Sequence, residues 1–275
     1  MNKKIGFILA LVLVSLLMLG TASAGLFDFL GGNNSNQTAN DNSTLVVGFD
    51  AEFPPYGYKD NSGNYTGFDL DLAKEVCARN NWTFKAQPID WDAKDAELDS
   101  GSIDCIWNGF TIDGRENDYL WSNPYFDNKQ IFVVKSDSNI SSIDDLSGKV
   151  VETQKDSSAL AALKGGNKTI ADKFKQLTEV ADYNTALMDL ESGACQAVAM
   201  DIGVAQYDIA NKNTTTNFTI LDQHITTEKY GIGFKKGNTA LKDQVQSTLD
   251  EMFKDGTVVK IAKKYGISQD ALIQP

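Results

Sequence analysis

The chain has 275 residues, 42% of them hydrophobic, and carries 25 Lys and Arg against 37 Asp and Glu, a formal net charge of −12. So acidic a surface excludes nucleic acid and anionic membrane as partners held by charge, since both repel it. One histidine, three cysteines and no Cys-x-x-Cys pair leave no basis for a metal site or a disulfide framework, and no cofactor is expected. Cys77, Cys105 and Cys195 each sit in an apolar pattern and read as buried thiols, with a Cys77–Cys105 bridge as the alternative.

At the start, Lys3 and Lys4 precede an apolar run from Ile5 to Leu19, and Ala22 and Ala24 close it with small residues. This is the order of an export signal, so residues 1–24 are expected to be removed. The run is shorter than the ~20 residues that span a bilayer, although left uncleaved it would tether the chain to the membrane. Residues 25–44 are expected to be a disordered linker. From Gly31 onward they are almost all Gly, Asn, Ser and Thr and bury too little apolar surface to offset ordering entropy.

Strands and helices then alternate. Thr44 to Asp50 is a strand by its β-branched run, and residues 52–67 are a loop punctuated by Pro54, Pro55, Gly57 and Gly63. Asp69 is expected to cap a helix that carries Leu72, Val76 and Cys77 on one face. "TFKAQPI" is a strand, Asp92 to Ser100 a short helix and "SIDCIWNGF" a third strand, an order that argues for an α/β fold with a largely parallel sheet. A second unit follows. Its strands are Gln130 to Lys135, Lys149 to Gln154, Thr178 to Tyr183, Cys195 to Asp201 and a returning Lys229 to Gly237. Its helices are "SSALAALK", stopped by Gly165 and Gly166, then residues 170–176, "NTALMDLES" and "IGVAQYDIANK". Thr239 to Lys254 and Thr257 to Tyr265 close the chain as helices.

Ligands of open α/β sheets lie at the carboxyl ends of strands. Those ends supply Asp50 and Phe53, then Trp91, then Trp107, Asn108, Gly109, Thr111 and Arg115, then Ser157 and Ser158 at a helix start, and Asp201. The set complements a free α-amino acid. A carboxylate fits a guanidinium bidentately, with hydroxyls and helix N–H groups beside it, which points to Arg115, Thr111, Ser157 and Ser158. An ammonium fits Asp201, and Phe53, Trp91 and Trp107 would wall in the side chain. Singly, each has an ordinary reading. Arg115 is a solvated loop residue, Asp201 an N-cap, Ser157–Ser158 a cap pair, and Phe53 and Trp91 packing. Their recurrence at strand ends gives them weight.

Asn-x-Ser/Thr triplets recur, among them Asn42, Asn64, Asn81, Asn139, Asn167, Asn213 and Asn217. In an exported chain each is a candidate glycosylation site, and chance in an Asn- and Thr-rich chain is the competing explanation.

Five segments carry a resemblance: "LVVGFDAEFPPYGYKDNSGNYTGFDLDLAKEV", "GSIDCIWNGFTIDGRENDYLWSNPYF", "DDLSGKVVETQKDSSALAAL", "VAMDIGVAQY" and "FKDGTVVKIAKKYGI". Together they are similar to the polar amino-acid-binding family of ABC-transporter extracytoplasmic solute-binding proteins. The resemblance implies a two-lobed type II periplasmic-binding-protein fold. Each lobe is a mostly parallel sheet flanked by helices, and the chain crosses twice, with lobe 1 at 45–127 and 231–275 and lobe 2 at 128–230. It implies that Arg115 holds the ligand carboxylate with Thr111, Ser157 and Ser158, that Asp201 holds the ammonium, that Phe53 and Trp91 flank the side chain, and that Asn108 and Gly109 offer backbone groups. The expected function is capture of a polar L-amino acid by hinge closure and delivery to the permease of an ABC importer, by a monomer in the periplasm or at the cell surface. Asp50, Glu52 and Asp156 favour a basic ligand (arginine, lysine or histidine), with glutamine and cystine as alternatives. A dehydratase on the same fold lacks an evident acid–base pair, because His224 lies in a polar stretch, and a sensory role is indistinguishable from transport at this level. Two departures stand out. The Thr111–Arg115 spacing is one residue shorter than the family's, and Asp156 stands where the family has Gly.

Overall fold

A computed structural model describes residues 43–211 and 215–274. The export signal, most of the linker and the triplets at Asn42 and Asn213 lie outside the described residues.

In the first unit, β1 (Thr44–Phe49) pairs parallel with β5 (Thr83–Pro88), and Thr44 already faces Thr83 in that register, so the linker stops short of residue 44. The segment expected to be a plain loop instead folds into three short strands, β2 (Glu52–Phe53), β3 (Gly57–Lys59) and β4 (Tyr65–Thr66), in an antiparallel meander. Helix α1 (Phe68–Arg79) follows, capped by Gly67 and not by Asp69. Gly67 has φ 142, and a Cβ there would lie 2.2 Å from the Tyr56 carbonyl oxygen, so only glycine fits. Asp69 sits inside the helix, fully buried, because it has distant partners: its carboxylate accepts from the Gly109 N–H at 2.5 Å and the Tyr125 hydroxyl at 2.9 Å. A 3-10 turn (Trp91–Ala93) leads into α2 (Lys94–Ser100), and then comes β6 (Cys105–Thr111), buried along its whole length. Trp107 to Thr111 therefore lie within the strand and not beyond its end.

A two-residue strand, β7 (Leu120–Trp121), precedes β8 (Phe126–Lys135), which starts four residues earlier than expected. Its first half alternates buried Phe126, Asn128 and Gln130 with exposed Asp127 and Lys129. The polar inner residues concealed that part of the strand. Next come β9 (Val150–Gln154), α3 (Ser158–Lys164) and α4 (Lys168–Ala171). The helix expected over 170–176 is displaced because residues 173–175 bond to the start of β9: Gly148 N–H donates to the Lys173 carbonyl and Lys175 N–H to that of Lys149, both at 2.8 Å. Then follow β10 (Gln176–Val180), α5 (Tyr183–Ser192), β11 (Ala197–Asp201) and α6 (Ile202–Asn211). The returning strand β12 (Phe218–Phe234) runs 17 residues, and its first half was missed because Asp222, Gln223 and His224 face water. Helices α7 (Thr239–Lys254) and α8 (Thr257–Lys264) match their expected bounds to within a residue.

The main strands form one mixed sheet in the order β10-β9-β11-β8-β12-β6-β1-β5. β10, β9 and β11 are parallel, as are β5, β1 and β6. β8 and β12 run antiparallel between these sets, with β12 pairing β8 over most of its length and β6 at its end. The fold is thus the expected α/β architecture, with two parallel sets of strands joined in one sheet through two long antiparallel strands. Cys77, Cys105 and Cys195 are buried free thiols, and the alternative bridge is not formed. Burial pushes Cys77 and Cys195 up to about 12. Among the described residues no helix is long and apolar enough to cross a membrane, and no group of His, Cys, Asp and Glu is placed to hold a metal ion.

Candidate functional site

The topology brings the ends of β2, β6, β9 and β11 to one cavity. Nine of the eleven residues singled out in the sequence line it: Phe53 of β2, Trp91 of the 3-10 turn, Asn108, Gly109 and Thr111 of β6 with Arg115 beyond it, Ser157 and Ser158 at the start of α3, and Asp201 of β11. Gln154 and Tyr183 also line it. Neither was picked out, although both stand at the sequence ends of expected strands.

Trp107 does not join them. It is fully buried and packs its ring 6.5 Å from that of Tyr125, because alternation along β6 turns it away from Asn108 and into the core. Asp50 is buried one contact behind the cavity, where it accepts from Gln154 Nε2 at 2.6 Å and the Glu52 N–H at 2.8 Å. Asn108 uses its side-chain oxygen to hold the Asp50 N–H at 2.7 Å. Gly109 donates its N–H to Asp69, so it offers at most its carbonyl to a ligand. A Cβ at Gly109, where φ is 53, would fall 2.8 Å from the Phe53 ring. Glycine there lets Phe53 close over the cavity floor.

One pole of the cavity is cationic. The short loop closes as a turn, with the Arg115 N–H on the Ile112 carbonyl at 2.8 Å and Gly114 at φ 82. Trp121 Nε1 holds the Arg115 carbonyl at 3.0 Å. The guanidinium lies 5.3 Å from the Phe110 ring and donates to two carbonyls, Asp156 at 2.8 Å and Thr111 at 3.4 Å. It has no carboxylate partner among the described residues.

The other pole is acidic and richer than the sequence showed. Asp201 accepts from Asn128 Nδ2 and Gln130 Nε2, both at 2.7 Å, from the Tyr230 hydroxyl at 2.6 Å and from that of Tyr183 at 3.3 Å. Beside it is Glu228, also buried, which accepts from the same two amide groups at 2.8 Å, from the Thr111 hydroxyl at 3.0 Å and from the Ser158 hydroxyl. Register explains the cluster: Asn128 faces Glu228 and Gln130 faces Asp201 directly across strand pairs. Glu228 also shares the buried face of Tyr230, two residues on. Extending β12 backward at period two from Tyr230 would have pointed to it. Neither carboxylate has a cationic partner among the described residues. Burial, then the charge of Glu228, hold Asp201 well above the usual carboxylate range.

Asp156, the departure from the family pattern, is not among the residues that line the cavity and does not pair with Lys155. At φ 54 it forms an ion pair with Lys94, whose side chain is only 1% exposed and lies 5.2 Å from the Trp91 ring. Burial and then the Arg115 charge depress Lys94 to about 8. Ser157 is the N-cap of α3, its hydroxyl accepting from the Leu160 N–H at 3.1 Å.

The buried acids make stability depend on pH in an unusual direction. Burial raises Asp69 to about 7 and Asp50 to about 6, and moves Asp201 the same way. A carboxyl raised above its unfolded value adds stability below about pH 4 and loses it as pH climbs through the folded value. The ligand-free protein is therefore expected to lose a few kcal/mol between about pH 5 and pH 8, by about 1.4 kcal/mol per pH unit for each group over the range where it stays protonated only in the fold. Thermal melts across that range check it. A rising Tm from pH 5 to 8 would contradict it.

The family model for bacterial extracellular solute-binding proteins, family 3, matches residues 45–268. The chain belongs to that family. Among the relatives of this solute-binding protein, a probable histidine-binding protein of Neisseria gonorrhoeae is 32% identical over 82% of this chain and 84% of its own length. The L-cystine-binding protein of Escherichia coli strain K12 is 28% identical over 81% and 82%. Among solved structures, an ABC uptake transporter substrate-binding protein from Streptococcus pneumoniae with bound histidine has a TM-score of 0.77 and 32% identity, covering 81% of this chain and 92% of that one. An ancestral arginine-binding protein bound to glutamine has a TM-score of 0.73 and 36% identity, covering 81% and 97%. These are binding proteins by name, as the sequence led us to expect, and the family is extracytoplasmic.

Proposed function

We propose that this solute-binding protein captures a polar L-amino acid between two lobes, prefers one with a basic side chain, and hands it to the permease of an ABC importer. The carrying observation is the charge asymmetry of the cavity: among the described residues, one guanidinium has no carboxylate partner at one pole, and two buried carboxylates have no cation at the other. A zwitterion neutralises Arg115 with its carboxylate and Asp201 with its ammonium, and Glu228 remains as a surplus negative charge that a cationic side chain offsets. The hydroxyls refine the assignment. Thr111 and Ser158 donate their single hydroxyl protons to Glu228 and so present lone pairs to the cavity. They then suit an ammonium better than a carboxylate. Phe53 and Tyr183, with ring centroids 6.0 Å apart, and Trp91 flank the side chain. Calorimetric titration with arginine, lysine, histidine, glutamine and cystine tests this. Binding of a basic amino acid well below millimolar is expected. If no amino acid binds below about millimolar the function is wrong, and if a neutral one binds tightest the charge argument is wrong.

The lobes are read as 45–127 with 231–275 and as 128–230, hinged on β8 and β12. Supporting this, polar contacts bridge the two sets: Gln154 to Asp50, Lys94 to Asp156, and Arg115 to the Asp156 carbonyl. Lys94 and Asp156 thus act as a clasp on the closed cleft. Lys94→Met and Asp156→Gly are each expected to speed ligand release, with a coupling of about 1 kcal/mol in a double-mutant cycle on the off-rate. Additive effects would show that the pair does not span the moving interface. The protein acts outside the cytoplasmic membrane as a monomer, and it binds without transforming. Release of water from a prephenate-like acid on incubation would overturn the last point.

A further inference from the structure

Nine of the 21 asparagines open an Asn-x-Ser/Thr triplet, at positions 33, 36, 42, 64, 81, 139, 167, 213 and 217. Random placement of the chain's 37 serines and threonines among its 275 residues would produce about three. The excess is threefold, so composition does not account for it, and the binding function uses none of these positions.

The structure sorts the five triplets that it describes. Asn64 lies exposed in the turn joining β3 to β4, where its carbonyl receives the Asp60 N–H at 2.9 Å. Asn81 is exposed in the turn from α1 to β5 with φ 56, and Asn139 is exposed after β8 with φ 58. Asn217 is exposed at the entry to β12. The left-handed conformation at two of them marks tight turns that asparagine tolerates better than most residues. None of the four lines the ligand cavity. Asn167 differs: it is half-buried, and its Nδ2 donates to the Ile225 carbonyl at 3.0 Å, tying the α3–α4 turn to β12. A sugar on that nitrogen would have to fit where the turn meets the strand.

We propose that the exported chain is N-glycosylated at Asn64, Asn81, Asn139 and Asn217, and that Asn167 is a structural asparagine left unmodified. The donor class is a polyprenyl-phosphate-linked sugar, transferred by a membrane oligosaccharyltransferase on the outer side. The bond from Nδ2 to the anomeric carbon forms, the bond from that carbon to the phosphate oxygen breaks, the amide proton leaves to a base, and the lipid phosphate departs. Four polar chains on turns away from the cavity add a hydrated coat to a chain that works outside the cell, and leave the cleft open. The inference rests on export and is independent of which amino acid is bound.

The test is peptide mass spectrometry on protein purified from its own source cells. Sugar masses are expected on the four exposed asparagines and none on Asn167. In chains expressed in the same cells, Asn64→Gln and Asn139→Gln are each expected to remove one glycan step from the intact mass with amino-acid affinity unchanged. Ser141→Ala, which leaves Asn139 in place and removes only the triplet's hydroxyl, is expected to abolish the sugar on Asn139. Unmodified peptides at all four positions overturn the proposal. Sugar on Asn167 overturns the structural sorting, and sugar persisting on Asn139 in Ser141→Ala shows that the attachment does not follow the triplet.

Discussion

Arg115→Ala is expected to weaken amino-acid binding by about 2–5 kcal/mol, a loss of roughly thirtyfold to several thousandfold, because it leaves the ligand carboxylate in a closed cleft without its counter-charge. The guanidinium is suited to the part. It is held from behind by the Thr111 and Asp156 carbonyls and stacked near Phe110, and no carboxylate of the described residues competes for it. Arg115→Lys keeps the charge but loses the planar fork, so it is expected to recover only part of the affinity. Calorimetry gives both values. A loss below about 0.5 kcal/mol for the alanine variant would remove Arg115 from the anchor role, since that is the scale of an ordinary surface substitution.

Asp201→Asn is expected to have opposite effects on binding and on stability. Asparagine keeps an oxygen for the Asn128, Gln130 and Tyr230 donors and turns its amide toward the Tyr183 hydroxyl, so the hydrogen bonds survive the exchange. Gone is a buried negative charge beside Glu228, which burial and that neighbour already make unfavourable. The ligand-free variant should therefore melt at a higher temperature than the parent at pH 8, with a gain of about 1–3 kcal/mol. Binding should fall by about 2–5 kcal/mol, because the ammonium loses its acceptor. A variant that loses stability along with affinity would indicate that Asp201 holds the fold together and is not a charge kept in place for a ligand.

Much of the site was legible in sequence because strand ends are legible. A β-branched run closed by Pro, Gly or a helix cap locates a strand terminus, and residues at such termini converge in a parallel sheet. Residues so placed, Phe53, Asn108, Thr111, Arg115, Ser158 and Asp201, line a common cavity. The misreadings share a cause. Trp107 was grouped with its neighbours in sequence, yet in a strand adjacent side chains face opposite ways, and this one faces the core. Asp69 reads as a local helix cap, while its partners, Gly109 and Tyr125, are 40 and 56 residues away. Asn128, Gln130 and Glu228 are hidden in the sequence because polar residues on the inner face of a strand break the apolar alternation that identifies strands at all.

The sequence alone determined the alternating α/β order, the excess of acid, the two closing helices and the membership of a binding family, because these depend on local periodicity, composition and short contiguous motifs. Tertiary structure decided which charges meet. Lys94 lies 62 residues from Asp156, and Glu228 lies 100 residues from Asn128 and 117 from Thr111. Whether Asp156 opposes a ligand or clasps a lysine, and whether Asp201 stands alone or beside a second acid, depends on strand register and on which strand ends meet at the cavity. Electrostatic interaction falls with distance through space, and separation along the chain does not measure that distance.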